Sequence, residues 1–358
     1  MLSKVRRILD DACARRHLPG AVLRVDQDGR TVHLSAHGVT RYDRPAPVTT
    51  ETWFDLASLT KILGTTPAVM LLAQRGAIEV EVGLGAYLPG LHPLLAEIPV
   101  YYYLNHTSGL ADWRPFYQDL PPNLLGKVEA KDDMRRLLCR ETPVAAPGTV
   151  ERYSDIGMGL IGFMVEAVSG QDLPAFVAER ILAPLQIDGL FFGSIATRED
   201  LSIAATENCP WRKRILCGEV QDENAWSAGG CLGQAGMFGT ADGVACLLEE
   251  YRLTLQGKGR LFTENTIRRF MRRNDLSTSA GFRYGFDSPS AQGSSTGRYM
   301  SPATFGHLGF TGVSTWCDPQ RAITIILLTN RVHPTRANEK IRQIRPLVHN
   351  AIMEALGT

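Results

Sequence analysis

The sequence predicts an α+β fold, in which an antiparallel sheet is flanked by terminal helices and carries an inserted all-helical lobe. Three observations predict this fold. Two β-rich runs joined by a turn signal lie near the N-terminus, residues 62–199 read mainly as helix, and residues 322–330 form an apolar run with the composition of a central strand. Strands and helices that occupy separate stretches of a chain are typical of this class.

The chain ends predict the helices that flank the sheet. Residues 1–13 alternate charged and apolar side chains at helical spacing and lack the apolar core of a signal peptide. Residues 21–25 and 31–35 are β-rich, and the Asp-Gly pair between them predicts a hairpin. Residues 336–356 are expected to close the chain as an amphipathic helix.

The middle of the chain predicts a separate helical unit. The expected helices are residues 63–75, 131–139, 158–168 and 173–187. Strand character returns at residues 190–192 and 215–220. We therefore expect a discontinuous α/β domain of residues 1–61 and 200–358, a helical domain of residues 62–199, and a site where the two meet. The Ser-, Gly- and Pro-rich residues 288–301 are expected to form a loop.

Composition excludes several classes of partner. The net charge is +1, with 38 Lys and Arg against 37 Asp and Glu, and no block of like charge occurs, so neither nucleic acid nor a membrane surface is an expected partner. The seven cysteines are scattered without a Cys-x-x-Cys pair, which disfavours a zinc site or a disulfide framework. We expect no metal or cofactor, and a cytoplasmic location, or a periplasmic one if an export signal has been removed. Composition gives no oligomeric state.

Ser58 and Lys61 are the first candidates for chemistry. Residues three apart on a helix lie on one face, so a helix that opens here would hold the lysine beside the serine hydroxyl. Serine needs an adjacent base to act as a nucleophile, and a buried lysine shifts readily toward its neutral form. Residues 62–73 carry no charge, which indicates that Lys61 enters a buried element.

Two later segments carry further candidates. Tyr153 follows a turn signal at residues 146–148 and precedes an expected helix, where a nearby cation such as Lys61 would favour its phenolate. His307 lies in a glycine-rich segment before the strongest strand signal, and glycines there allow close approach of a ligand to the backbone.

In chain order, Ser58-x-x-Lys61, Tyr153-Ser-Asp155 and His307-Leu-Gly309 resemble the three motifs of the serine β-lactamase and penicillin-binding-protein superfamily, specifically its class C-like branch of esterases, D-amino-acid peptidases and related hydrolases. Supporting segments are similar to the family's HTSGL turn, to its AGLFSTA segment and to a penicillin-binding-protein-like subgroup; they are residues 104–110, 233–241, 220–225 and 328–334. The resemblance covers nearly the whole chain and implies the β-lactamase/transpeptidase-like fold.

The resemblance also implies roles for residues. Ser58 would be acylated, Lys61 and Tyr153 would share the proton transfers, and the backbone N–H groups of Ser58 and Phe310 would form the oxyanion hole. Whether Lys61 or Tyr153 is the acylation base stays open.

Three positions are implied to bind substrate, and two of them depart from the family. Asp155 stands where the family has Asn, and His307 stands where it has Lys, whereas Gly309 is retained. An amide donor is thus replaced by a carboxylate that only accepts, and a fixed cation by a side chain that is mostly neutral at neutral pH. Both changes disfavour a peptide-like substrate that carries a carboxylate.

Two other motif matches are rejected. Tyr103-Leu-Asn105 fits Tyr-x-Asn but lies only 45 positions after Ser58 and runs into the HTSGL turn. Residues 293–297 fit the Gly-x-Ser-x-Gly elbow of α/β-hydrolases, but they lack the preceding strand and following helix that the elbow needs.

The functional hypothesis is a serine hydrolase that forms an acyl-enzyme on Ser58, an esterase or amidase of a small-molecule acyl substrate. Three alternatives stay open. A D-alanyl-D-alanine carboxypeptidase or β-lactamase would require an extracytoplasmic location, and an acyltransferase would use the same acyl-enzyme. A catalytically inactive scaffold of the same fold is the third, and intact Ser58, Lys61 and Tyr153 argue against it.

Overall fold

The computed structural model describes residues 2–274, 276 and 281–357. Within them the strands are β1 (Gly20–Gln27), β2 (Arg30–Gly38), β3 (Phe54–Asp55), β4 (Leu190–Phe192), β5 (Asn208–Cys209), β6 (Arg214–Ile215), β7 (Met237–Gly239), β8 (Phe305–Leu308), β9 (Ser314–Asp318) and β10 (Ile323–Thr329). The α-helices are α1 (Ser3–Ala14), α2 (Thr66–Gln74), α3 (Pro93–Ala96), α4 (Val100–Leu104), α5 (Lys131–Cys139), α6 (Asp155–Ser169), α7 (Leu173–Val177), α8 (Ala183–Leu185), α9 (Glu223–Ser227), α10 (Ala241–Thr254), α11 (Glu264–Phe270) and α12 (Ile341–Leu356).

The main sheet is antiparallel, with the strand order β2-β1-β10-β9-β8. Successive side chains of a strand point to opposite faces, so the sheet presents two apolar surfaces. On one face Leu23 and Ile325 pack with Leu9 of α1 and Ile352 of α12. Val22 belongs to the larger core on the other face, which includes the helical part of the chain. The expected central strand is confirmed, because every residue of β10 is buried.

A second, smaller sheet holds the segment that leads to Ser58. Its order is β3-β7-β4, with Phe54 opposite Gly239 and Leu190 on the other side of the same glycine. A side chain at Gly239 would lie 2.6 Å from Leu190 Cδ2 and 2.9 Å from Leu56 Cδ1, so this crossing requires glycine. The predicted strand at residues 190–192 is confirmed.

The helical segment begins with the π-helical turn Lys61–Thr65, which continues directly into α2. A further π-helical turn, Ala178–Leu182, joins α7 to α8. Short 3-10 turns occupy Leu84–Ala86, Phe116–Gln118 and Val128–Ala130. Among the described residues no single helix has the length and apolar composition needed to cross a membrane; by these two criteria alone the bent pair Asp155–Ser169 and Leu173–Leu185, at 73°, would qualify.

The predicted helix at residues 131–139 and the N-terminal hairpin are confirmed, although both hairpin strands run longer than expected. The strand expected at residues 215–220 is wrong beyond Ile215, because Gly218 adopts a φ of 73° and packs against the backbone of Ala196. The last helix begins at Ile341 and not at residue 336, since Arg336 is drawn into contacts with Glu207 and Glu223. The division into residues 1–61 with 200–358 and residues 62–199 stays a prediction.

Asn330 ties the end of β10 to three other segments, and its replacement is predicted to destabilise the fold. Its side chain is 1% exposed, accepts from Gly20 N–H at 3.1 Å, and donates to the carbonyls of Thr40 at 2.8 Å and Ala205 at 3.0 Å. Asn330→Ala leaves these buried groups unpaired, so we expect the free energy of unfolding to fall by about 3 kcal/mol. Urea unfolding measures this change.

The matched control is Asn123→Ala, at an exposed position. This variant is expected to stay within about 0.5 kcal/mol of the wild type. Equal urea midpoints for the two variants would contradict the structural importance of Asn330.

Candidate active site

Ser58 lies in a turn that the end of β3 holds rigidly. Leu56 N–H donates to Met237 O at 2.9 Å, and Ala57 takes a φ of 45°. A positive φ is uncommon for alanine and persists only where the surroundings fix it. Here the Asp55 carboxylate accepts from Ala57 N–H at 2.8 Å and from Gln221 N–H at 2.7 Å. The strained turn therefore presents the Ser58 side chain in a fixed position.

Lys61 is fully buried directly after this turn, and three oxygens surround its Nζ. Nζ donates to Ser58 Oγ at 2.9 Å and to the Gln234 carbonyl at 3.2 Å. It also forms an ion pair with Asp155 Oδ1 at 2.7 Å, which is a charge contact and not a well-aligned hydrogen bond. Burial lowers the pKa of Lys61, whereas the Asp155 carboxylate acts in the opposite direction. Burial is the larger effect, so the neutral amine is more accessible than in an exposed lysine.

Tyr153 reaches the same hydroxyl from the start of α6. Its OH donates to Ser58 Oγ at 2.9 Å, and Lys61 Nζ lies 4.9 Å from the centre of its ring. Burial, followed by the negative charge of Asp155, raises the pKa of Tyr153 well above its ordinary value. The expected phenolate is therefore disfavoured, and the side chain is a phenol that can donate a proton. Ser154 begins α6 as its N-cap and accepts from Gly157 N–H at 3.1 Å.

Aromatic rings fix the orientation of Tyr153. The ring of His106 lies 4.7 Å from it and the ring of Phe282 lies 5.8 Å from it. His106 is buried and its Nδ1 accepts from Ser154 N–H at 3.1 Å. Burial, together with the charge of Lys61, holds the pKa of His106 well below its usual range. His106 therefore acts as a neutral wall of the site.

His307 lies on β8, the edge strand of the main sheet, with its ring 5.8 Å from that of Tyr153. Its Nδ1 lies 2.6 Å from Leu308 O, and a carbonyl can only accept, so Nδ1 carries the proton. Nε2 is then a bare acceptor, buried and without a partner among the described residues. Burial, reinforced by Lys61, lowers the pKa of His307 to about 3. At neutral pH this position carries no charge.

Gly309 and Phe310 bring the end of β8 against the Ser58 turn. A side chain at Gly309 would lie 2.3 Å from Val313 Cγ2 and 2.9 Å from Leu56 O, so only glycine fits there. The Phe310 carbonyl accepts from Arg331 Nε at 3.0 Å. Within the described part of the chain, the N–H groups of Ser58 and Phe310 have no hydrogen-bond partner. Both are thus available to a ligand.

Two cavities open on either side of Ser58. One, of about 390 Å³, is bordered by Asp222, Gln234 and Trp113. The other, of about 480 Å³, is bordered by His307 and Arg345. Ser58, Tyr153, Asp155 and Phe310 line both cavities. A substrate bound at Ser58 can therefore extend in two directions.

The structure brings the sequence-predicted residues together around one hydroxyl: Ser58, Lys61, Tyr153, Asp155, His307, Gly309 and Phe310. It also adds residues that sequence reasoning did not assign. They are His106, Asp222 and Gln234, and each lies in a segment whose family likeness was visible without indicating a role. Each of them is a polar residue next to a glycine or a turn, inside a segment that is similar to the family. This was the feature of the sequence that could have indicated a role in the site.

The two rejected motifs lie apart from these residues. Tyr103 is fully buried and its OH donates to Leu95 O at 2.7 Å, away from Ser58. Residues 293–297 lie in an irregular segment that packs on α12, where Gly297 is close to Asn350.

The fold and the residues around Ser58 define a member of the serine hydrolase superfamily. The family model described as Beta-lactamase matches residues 5–349, and the chain belongs to this family. A relative described as a putative D-alanyl-D-alanine carboxypeptidase, from Salmonella schwarzengrund (strain CVM19633), is 30% identical over 357 residues. That match covers 90% of this chain and 81% of the relative.

Solved structures show the same fold. A class C beta lactamase superposes with a TM-score of 0.76 at 18% identity, covering 99% of this chain and 98% of that one. EstCE1, described as a hydrolase with promiscuous acyltransferase activity, gives a TM-score of 0.74 at 22% identity, covering 96% and 98%. The β-lactamase/transpeptidase-like fold that the sequence motifs implied is confirmed.

The neutral state of His307 gives a prediction that does not depend on activity. With a pKa of about 3, its ring is expected not to titrate between about pH 5 and 8 in the folded protein. The imidazole proton resonances of the protein measure this, and His307→Gln identifies the signal. A His307 midpoint near the unperturbed value of 6.5 would contradict the assignment.

The same shift has a consequence for stability. Between the unfolded value of 6.5 and the folded value of about 3, the unfolded chain binds a proton at His307 that the folded protein does not. His307 therefore makes the folded state less stable as the pH falls through that window. His307→Gln should flatten this part of the acid-unfolding curve.

Proposed function

We propose that this protein is an esterase or amidase of a small acyl substrate and works through an acyl-enzyme on Ser58. The observation that carries the proposal is that Ser58 Oγ lies 2.9 Å from both Lys61 Nζ and Tyr153 OH, beside two backbone N–H groups that have no partner among the described residues. A nucleophile, a base, an acid and two oxyanion donors are the parts that acyl transfer needs.

In the proposed reaction the neutral Lys61 amine takes the Ser58 proton as Oγ attacks the substrate carbonyl carbon. The Ser58 and Phe310 N–H groups donate to the carbonyl oxygen as it becomes an oxyanion. The tetrahedral intermediate collapses, the bond to the leaving group breaks, and Tyr153 passes a proton to that group while Lys61 returns one to Tyr153. Water then attacks the acyl-Ser58 carbonyl carbon, and the proton transfers through Tyr153 and Lys61 run in the reverse direction. The bond to Ser58 Oγ breaks, Ser58 regains its proton from Lys61, and the acid is released.

The pKa directions support this division of labour. Burial lowers the pKa of Lys61, which favours its neutral form, and raises that of Tyr153, which keeps the phenol protonated. General acid–base catalysis needs one group that loses its proton readily and can then act as the base. It also needs a second group that keeps its proton until it acts as the acid. We therefore assign the acylation base to Lys61.

The nucleophile is tested by covalent labelling. Wild-type protein should take up one fluorophosphonate on Ser58 and hydrolyse p-nitrophenyl butyrate, whereas Ser58→Ala should show neither, because it lacks the hydroxyl that Lys61 Nζ and Tyr153 OH both contact. Ser295→Ala is the control, since Ser295 lies in the rejected motif. Intact mass and peptide mapping measure the adduct. A Ser58→Ala protein that keeps more than a few per cent of the wild-type rate would overturn the proposal.

Substrate class is argued from Asp155 and His307. A β-lactam or a D-alanyl peptide presents an amide carbonyl and a carboxylate to the enzyme. Here Asp155 offers a carboxylate that is already paired with Lys61, and His307 offers an uncharged acceptor. A polar group left without its partner costs about 1–3 kcal/mol, or about 5- to 150-fold in rate. Simple esters need neither contact.

We therefore predict that kcat/KM for a short-chain p-nitrophenyl ester exceeds that for a cephalosporin or a D-alanyl peptide by more than the difference in their intrinsic reactivity. The double variant Asp155→Asn/His307→Lys should narrow the gap by about tenfold, because it restores an amide donor and a cation. All three substrates are measured on one preparation. A β-lactam or peptide rate that matches the ester rate would refute the esterase preference.

A D-alanyl-D-alanine carboxypeptidase is the second candidate, and two observations favour it. The Salmonella relative carries that description as putative. In addition, Arg345 is 4% exposed, borders the larger cavity and has no carboxylate partner among the described residues, so it could receive a terminal carboxylate. The D-alanyl peptide in the preceding experiment decides between the two candidates.

A further inference from the structure

Phe310 lies at the tip of the turn that joins β8 to β9. Gly309 N–H donates to Val313 O at 2.8 Å and Gly312 N–H donates to Gly309 O at 3.0 Å, so the base of this turn is closed by its own backbone. Phe310 and Thr311 form the tip, and the N–H group of Phe310 is one of the two proposed oxyanion donors. A donor at the tip of a turn stabilises an oxyanion only if the tip itself is held in place.

Thr311 ties this turn to the segment that precedes Ser58. Its side chain is 1% exposed, and its hydroxyl donates to the backbone carbonyl of Asp55 at 2.7 Å. The two residues are 256 positions apart, so the hydrogen bond joins the edge of the main sheet to β3 of the smaller sheet. Gly309 packs on the same segment, where a side chain would lie 2.9 Å from Leu56 O. The turn is therefore docked directly on the chain that leads to Ser58.

The side chain of Asp55 holds the segment that carries the other oxyanion donor. Its two carboxylate oxygens accept from Ala57 N–H at 2.8 Å and from Gln221 N–H at 2.7 Å, and the residue is 2% exposed. Ala57, with a φ of 45°, immediately precedes Ser58, so its conformation sets the direction of the Ser58 N–H group. Asp55 therefore contacts a neighbour of each donor: Ala57 through its carboxylate and Thr311 through its carbonyl.

An oxyanion hole depends on the separation of its two donors. Both N–H groups have to point at the same oxygen, and donors that are already in place need no reorganisation during the reaction. A displacement of about 1 Å in such a group can cost on the order of a hundredfold in rate. A hydrogen bond that docks one donor segment on the other therefore acts on the rate as well as on stability.

We infer that Thr311 and Asp55 are positioning residues that hold together the oxyanion hole of Ser58. Neither residue borders the two cavities at Ser58, so both act through the backbone of their neighbours. The inference rests on the proposed function, because an oxyanion forms at this place only if Ser58 attacks a carbonyl carbon. It predicts that the loss of one buried hydroxyl, at Thr311, weakens catalysis more than substrate binding.

The first experiment compares Thr311→Val with Thr311→Ser. Valine has nearly the shape of threonine and lacks the hydroxyl, so the Asp55 carbonyl loses its donor. With p-nitrophenyl butyrate we expect kcat to fall on the order of tenfold and KM to change by less than about twofold, because acylation and deacylation use the same oxyanion hole. Serine retains the hydroxyl and should keep kcat within about threefold of the wild type. A Thr311→Val enzyme with the wild-type kcat would overturn the inference.

Two further measurements separate positioning from a general loss of stability. Thr304→Val removes a hydroxyl that is fully buried and has no partner among the described residues, so it should leave kcat unchanged. Butaneboronic acid adds to Ser58 Oγ as a tetrahedral boronate, and it should bind to Thr311→Val on the order of tenfold more weakly than to the wild type. A lower thermal midpoint of Thr311→Val with unchanged kcat and boronate affinity would show a structural role alone and would refute the inference.

Asp55→Asn tests the other side of the same arrangement. Its amide places an NH₂ group where one carboxylate oxygen was, so either Ala57 N–H or Gln221 N–H loses its acceptor. Because Asp55 and Thr311 act on one pair of donors, kcat of the double variant Asp55→Asn/Thr311→Val should be close to that of the slower single variant. Losses that multiply would mean independent effects and would refute a shared role. The Thr311 comparison does not depend on this variant.

The fluorophosphonate adduct on Ser58 is measured for every variant. A Thr311→Val protein that is labelled on Ser58 and turns over the ester at the wild-type rate would refute this inference alone. Wild-type protein that neither takes up the label nor hydrolyses the ester would refute the proposed function itself.

Discussion

The burial of the Lys61 side chain organises this molecule. Lys61 Nζ is removed from water and lies within 3.2 Å of three oxygens, which belong to Ser58, Gln234 and Asp155. A buried ammonium without such partners would be very unfavourable, so the three segments that supply the oxygens have to meet at this point. They are the turn after β3, the loop before β7 and the start of α6. The positions of Lys61, Gln234 and Asp155 around Ser58 follow from that convergence.

The loop before β7 can reach Lys61 only because it has no side chain where it crosses α6. A side chain at Gly233 would lie 2.0 Å from Met158 O and 2.9 Å from Gly162 N. Thr65 completes the contact by donating to Gly233 O at 2.6 Å, from the π-helical turn that also contains Lys61. The wide π turn and the glycine crossing are thus two parts of one packing arrangement. The periodicity of hydrophobic residues in the sequence predicts neither the π-helical turn nor the glycine crossing.

The sequence predicted the sheet and the central residues of the site because these depend on strong local signals. β10 is an apolar strand in a chain of amphipathic elements, and the resemblance to the family's first two motifs indicates Ser58, Lys61 and Tyr153. Asp222 and Gln234 were not assigned, because their proximity to Ser58 depends on where two loops pack. Gly218 ended an expected strand through a backbone approach that only the folded chain reveals. Element ends and the positions of loop residues therefore depend on tertiary contacts that local sequence patterns do not show.

Asp155 connects the chemistry to the choice of substrate. Its carboxylate favours the charged form of Lys61 and partly opposes the effect of burial, so it tunes the base. The same carboxylate raises the pKa of Tyr153, and after burial it is the next cause that raises the pKa of Asp222. An amide at this position would exert none of these effects and would offer the substrate a donor. One carboxylate thus removes a hydrogen-bond donor from the substrate site and raises the proton affinity of Lys61, Tyr153 and Asp222, so the substrate class and the proton affinities of the site depend on the same residue.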